Sequence, residues 1–129
     1  MPLACGIVKR TRDAYGTMFV SVIIPALNEE EPIAGVVNEC FATGVPDEVI
    51  VVDNGSTDST FERAQEAGAR VVVAPRGYGR ACAAGIAAAD SRSEITVFLD
   101  GDGSDCPELM ERIVRPIAQG DADFVIGSR

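Results

Sequence analysis

The stretch VFLDGDGSD, residues 97–105, runs from apolar chain straight into Asp100, Asp102 and Asp105, separated by glycine and serine. Carboxylates this close repel one another, and the glycines carry no side chain that could shield them. Asp100 and Asp102, at i and i+2 on chain leaving an extended strand, point the same way and can reach one ion. Mg2+ and Mn2+ select carboxylate oxygens and keep positions open for substrate phosphates. The competing reading is a solvated turn in which Ser104 or Asp105 caps the next helix.

Other residues able to do chemistry also stand at the ends of apolar runs. Asp53 closes EVIVVD (48–53), where an acidic residue can take a ribose hydroxyl or a base edge. It can equally close an Asx turn through Asn54-Gly55. Asp58 sits in the run Ser56–Ser59, where almost any residue could cap a helix. Glu29, Glu30 and Glu31 follow Asn28, a candidate N-cap, and suit the first turn of a helix through its dipole. GYGRAC (77–82) has the look of a dinucleotide loop, but its third glycine position holds Cys82 and it lies on the third strand–helix unit. The glycines are better read as a tight turn, with Arg80 at a helix N-terminus available to an anion.

The elements that must position these residues alternate. FVSVIIP (19–25), EVIVVD (48–53), RVVVAP (70–75), EITVFLD (94–100) and ADFVIGSR (122–129) read as strands. Between them lie helical spacings: Ile33, Val36, Val37 and Phe41 up to Gly44, then Phe61, Ala64 and Ala67 up to Gly68. A helix of small residues follows GYGRAC, and another spans 107–119. Such alternation predicts an α/β fold, an open, mostly parallel sheet with right-handed crossovers. Ligands of these sheets bind outside the carboxyl ends of the strands. Every polar turn above falls on that edge.

Composition narrows the classes further. The chain has 129 residues, a net charge of −9, no histidine and one lysine, Lys9. A chain this acidic is poorly suited to nucleic-acid backbone, so no nucleic-acid partner is expected. Without histidine, Ser-His-Asp and Cys-His catalysis are excluded and acid–base work falls to carboxylates. Cys5, Cys40, Cys82 and Cys106 form no CxxC pair, against zinc and against a disulfide framework, and in favour of a reducing cytoplasm. No apolar run approaches the about 20 residues of a membrane span. Residues 1–17 read as a flexible extension without a secretory core, and 18–129 as one domain.

Taken in order, VSVIIPALNEE, EVIVVDNGSTDST, GYGRACAAGIAAA, VFLDGDGSDCPE and DFVIGSR resemble the family-2 glycosyltransferases of the GT-A fold. The likeness is greatest to the branch of polyprenyl- or dolichyl-phosphate mannose and glucose synthases, and it covers residues 19–129. It implies a Rossmann-like sheet with helices on both faces, holding a nucleoside-diphosphate sugar at its carboxyl edge. Pro25, Leu27 and Glu29 would border nucleobase and ribose, and Asp53 would bind the nucleoside. Asp100, Gly101 and Asp102 match the family's DXD stretch, with Asp100, Asp102 and Ser104 around Mg2+ or Mn2+. Arg80 joins the substrate-binding set. Arg129, in GSR, matches an arginine facing the diphosphate or the acceptor phosphate, and with Asp102 makes up the catalytic pair. Asn54 stands where the family has a second aspartate, and Leu27 replaces a frequent aromatic.

The resemblance further implies inverting displacement onto polyprenyl phosphate, at the inner membrane face of the cytoplasm. A phosphate with a second pKa of about 6 can attack without a general base. It also implies that the acceptor half lies beyond residue 129. A terminal apolar strand would then be an unpaired edge, and self-association into a homo-oligomer is expected. Two other readings stand beside this one. The first is a non-catalytic nucleotide-sugar-binding module or fragment. The second, a nucleotidyltransferase, is disfavoured because PALNEE contains no lysine-bearing glycine loop.

Overall fold

Runs of β-branched residues set the sheet. In the computed structural model, which describes residues 18–124, β1 spans Phe19–Ala26, β2 Glu48–Asp53, β3 Arg70–Val73 and β4 Ser93–Phe98. The order is β3-β2-β1-β4 and every neighbouring pair is parallel. The crossovers carry α1 (Ile33–Ala42), α2 (Thr60–Glu66) and α3 (Tyr78–Ala88), and β4 leads through a 3-10 turn (Pro107–Leu109) into α4 (Met110–Ala118). Among the described residues no helix is long and apolar enough to cross a membrane.

Alternation of side chains builds a core on each face of the sheet. Val20, Val22 and Ile24 of β1, Val49 and Val51 of β2, and Ile95 and Val97 of β4 face one side. There they meet Ile33, Val36, Val37 and Cys40 of α1, Ala64 of α2, and Met110 and Val114 of α4. On the other side Ile23, Ile50 and Val52 pack with Ala81 of α3. The small residues of α3 serve close approach: a Cβ on Gly85 would lie 2.4 Å from Ile23 Cγ2. This helix covers β1 to β3 but leaves the corresponding face of β4 open, with Glu94, Thr96 and Phe98 exposed.

The register aligns the site. Ala26 pairs with Asp53 and Asp53 with Val73, so β1, β2 and β3 end level. Strand identities and the buried run of β1 and β2 match the sequence reading, whereas several boundaries differ. Asn28 does not cap α1, which starts at Ile33 after Pro32 and has no acidic residue in its first turn. Glu29–Glu31 therefore lie in the turn before the helix, because Asn28 adopts φ 52, a left-handed conformation no helix start can use. β3 stops at Val73 ahead of Pro75, which has no N–H for a ladder, and β4 stops at Phe98. Of the fifth strand, Ala122–Phe124 have no strand structure, and 125–129 lie outside the described residues, as do 1–17.

Candidate nucleotide-sugar site

Four turns meet at the carboxyl edge and enclose an open cavity of 230 Å3. Its walls are Pro25, Ala26 and Leu27 after β1, Asn54 after β2, Arg76, Gly77 and Tyr78 before and into α3, and Asp100 after β4. Of the residues assigned from sequence, Pro25, Leu27 and Asp100 thus line one cavity. Arg80 does not. It lies exposed in the first turn of α3, and Arg76 is the arginine at the cavity instead. Arg129 lies outside the described residues.

Asp53 is buried at the end of β2, and its Oδ1 accepts from the Ser56 amide at 2.9 Å. One carboxylate oxygen therefore closes the local turn, though to the third residue on and not the second as in an Asx turn. Asn54 donates its amide to the Ala26 carbonyl at 2.9 Å, extending the strand pairing by one residue. The residue is 8% exposed, and Oδ1 has no hydrogen-bond partner among the described residues. A buried amide oxygen is costly to leave without a partner, so this one is open to a water or a bound polar group.

The acidic turn is internally bonded. The Asp100 amide donates to Asp105 Oδ2 at 2.9 Å, and the Ser104 amide donates to Asp102 Oδ1 at 2.8 Å. Gly103 turns the chain with φ 82. Neither Ser104 nor Asp105 caps the 3-10 turn; Cys106 stands at that position and makes no side-chain cap bond. Gly101 packs on the end of β1, where a Cβ would come within 3.2 Å of Ala26 Cβ and the Pro25 carbonyl. Asp102 and Ser104 stay exposed. No group of three or more His, Cys, Asp or Glu side chains forms a ready metal cage among the described residues.

Glu29 joins this acidic edge from the β1 turn. Partial burial first, then the charges of Asp102, Asp58 and Asp100, hold its carboxyl above the ordinary 4.5. The Tyr78 phenol is also raised, by desolvation first and then by Cys82, Asp100 and Asp105. The sequence places Asn54 and the stretch 76–80 at this edge, but assigns Asn54, Arg76 and Tyr78 no role in the site. The available signal was position: each stands shortly after a strand or begins the helix after one.

A parallel sheet whose carboxyl-edge turns converge on a cavity is the arrangement of a Rossmann-like α/β domain. The chain belongs to glycosyl transferase family 2, whose family model matches residues 21–129. It is similar to a glucosyl-3-phosphoglycerate synthase of Mycolicibacterium paratuberculosis, 38% identical over 121 residues, covering 84% of this chain and 36% of that protein. It is 35% identical over 121 residues to protein RfbJ of Shigella flexneri, covering 89% and 88% of the two chains. Among solved structures it resembles the glucosyl-3-phosphoglycerate synthase of Mycobacterium tuberculosis in complex with Mn2+, UDP-glucose and phosphoglyceric acid. That match has a TM-score of 0.73 and 35% identity, and it covers 85% of this chain and 43% of the other. The chain therefore spans less than half the length of either synthase.

Proposed function

We propose that the chain is the donor-binding part of a cytoplasmic, metal-dependent glycosyltransferase that takes a sugar from a uridine-diphosphate sugar. The convergence of Leu27, Asn54, Arg76 and Asp100 on one cavity at the strand ends carries the reading. In it, Pro25, Leu27, Asp53 and Asn54 hold the nucleoside, Glu29 borders the ribose, and Arg76 faces the phosphates. Asp100 and Asp102, with Ser104, face the diphosphate.

The residues of this edge suit a hard divalent cation. Their donors are carboxylate and hydroxyl oxygens, the ligand atoms such an ion prefers. Asp100 and Asp102 would hold Mg2+ or Mn2+, which when bound neutralises charge on the departing diphosphate. The chain's own part is positional. The β1 and β2 turns fix the nucleoside, and the acidic turn, tied back through Asp105 and Ser104, presents its carboxylates in a set geometry.

For the acceptor, the similarity to synthases solved with phosphoglyceric acid supports a small phosphorylated acid over the polyprenyl phosphate expected from sequence. Isothermal titration with UDP-glucose, with and without Mn2+, tests the donor reading: metal-enhanced binding is expected, and absence of binding in both would overturn it. Adding phosphoglyceric acid or a short polyprenyl phosphate to the loaded protein then asks whether any acceptor contact lies within this donor-binding part. Self-association, expected from an apolar terminal strand, is read by sedimentation velocity in the same samples.

A further inference from the structure

We propose that Asn28 is a positioning residue of the donor cavity, locking the turn after β1 to the turn after β2 before any ligand arrives. The proposal rests on the donor reading above for its functional consequence, and on hydrogen bonds of the ligand-free chain for the lock itself. Asn28 is the one non-glycine residue with positive φ among the described residues, at φ 52. Asparagine is among the few residues that tolerate this conformation, and a strained backbone persists only where its surroundings hold it.

The reversal at Asn28 sends successive amides into the neighbouring turn. The Asn28 amide donates to Ser56 Oγ at 2.9 Å, the Glu29 amide to Thr60 Oγ1 at 2.8 Å, and the Glu30 amide to Asp58 Oδ2 at 3.3 Å. Bonds also run the other way. The Thr57 amide donates to Asn28 Oδ1 at 2.8 Å, the Ser59 amide to Glu30 Oε2 at 3.1 Å, and the Arg63 guanidinium to the Glu30 carbonyl at 2.8 Å. Asp58 is itself held by the Thr60 amide and hydroxyl. Asn28 has no duty to α1, which has no side-chain cap. Among the described residues, its side-chain oxygen bonds into the second turn.

Leu27 precedes Asn28 in the first turn and Asn54 precedes Ser56 and Thr57 in the second, and both line the cavity. If the two turns moved independently, a nucleoside would have to order both on binding, and that cost would appear in its affinity. With the turns already tied together, Leu27 and Glu29 stand in fixed relation to Asp53 and Asn54.

Three variants separate the lock from a general role in stability. Asn28→Ala loses both left-handed tolerance and the acceptor; Asn28→Gly keeps only the backbone freedom; Asn28→Asp keeps both. Amide hydrogen exchange on the ligand-free chain should show faster exchange at Glu29 and Thr57 in the alanine variant, with protection restored in the aspartate variant. Unchanged exchange in Asn28→Ala would overturn the lock. UDP affinity with Mn2+, measured well below each melting temperature, should fall about tenfold in Asn28→Ala, equivalent to about 1.4 kcal/mol. Asn28→Gly should be intermediate, and Asn28→Asp close to the parent. An alanine variant that exchanges faster yet binds UDP like the parent would refute the positioning role. If the parent binds no UDP, the donor reading fails alone, because exchange still judges the lock.

Discussion

Asp102 illustrates how one side chain can hold a turn and still be offered outward. Its Oδ1 accepts from the Ser104 amide, while the residue as a whole remains exposed. Asparagine at this position keeps an oxygen for that amide but removes the charge, so Asp102→Asn retains this tie of the turn and weakens what the charge attracts. Circular dichroism and melting temperature should match the parent. The enhancement of UDP affinity by Mn2+ should shrink at least about tenfold. Equal enhancement in variant and parent would show that Asp102 does not take part in holding the cation. Asp53 is a different case, since one of its oxygens already serves the Ser56 amide. Its contribution to a nucleoside has to come from the rest of the carboxylate.

Close packing of α3 against the sheet determines where the β3 turn can stand. The helix reaches Ile23 through Ala81 and Gly85, and it carries Tyr78 to the cavity at its first residue. In Gly85→Ala the new Cβ would sit 2.4 Å from Ile23 Cγ2, so helix and strand must part. Overpacking of this kind costs about 1–3 kcal/mol, against a gain of about 1 kcal/mol in helix propensity. Denaturant unfolding should show a net loss of up to about 2 kcal/mol. Displacement of Tyr78 and Arg76 should weaken UDP binding as well. A stabilised variant would mean that the sheet yields at Ile23 without strain.

Across the whole molecule, charge opposes the ligand it is proposed to bind. A net charge of −9 repels an anionic nucleotide at long range, with Arg76 as a local exception at the cavity wall. Without a divalent ion, UDP should therefore bind faster and more tightly as salt rises. The change is expected between about 0.01 M and about 0.1 M NaCl, where the screening length falls from about 30 Å to about 10 Å. Stopped-flow association rates read this directly. A rate that falls with salt would show that the local field at the cavity is positive, and that the arginines outweigh the acidic turn.

The sequence by itself determined what depends on local pattern. Buried β-branched runs at 19–25 and 48–53, helical spacing after them, and polar residues at the strand ends specified a parallel α/β sheet and the edge that carries the site. Side-chain period and turn chemistry are written in neighbouring residues, so they can be read along the chain. Only the tertiary structure decided which polar residues meet. Arg76 reaches the cavity and Arg80 does not. Asn54 is left with an unpartnered oxygen among the described residues. Asn28 bonds to a turn 28 and 29 residues away instead of capping its own helix. Such contacts exist because parallel pairing brings Ala26 beside Asp53, so that the turns beyond them share one space. No local pattern encodes that distance, and a hydrogen bond forms only where the sheet has brought donor and acceptor within reach.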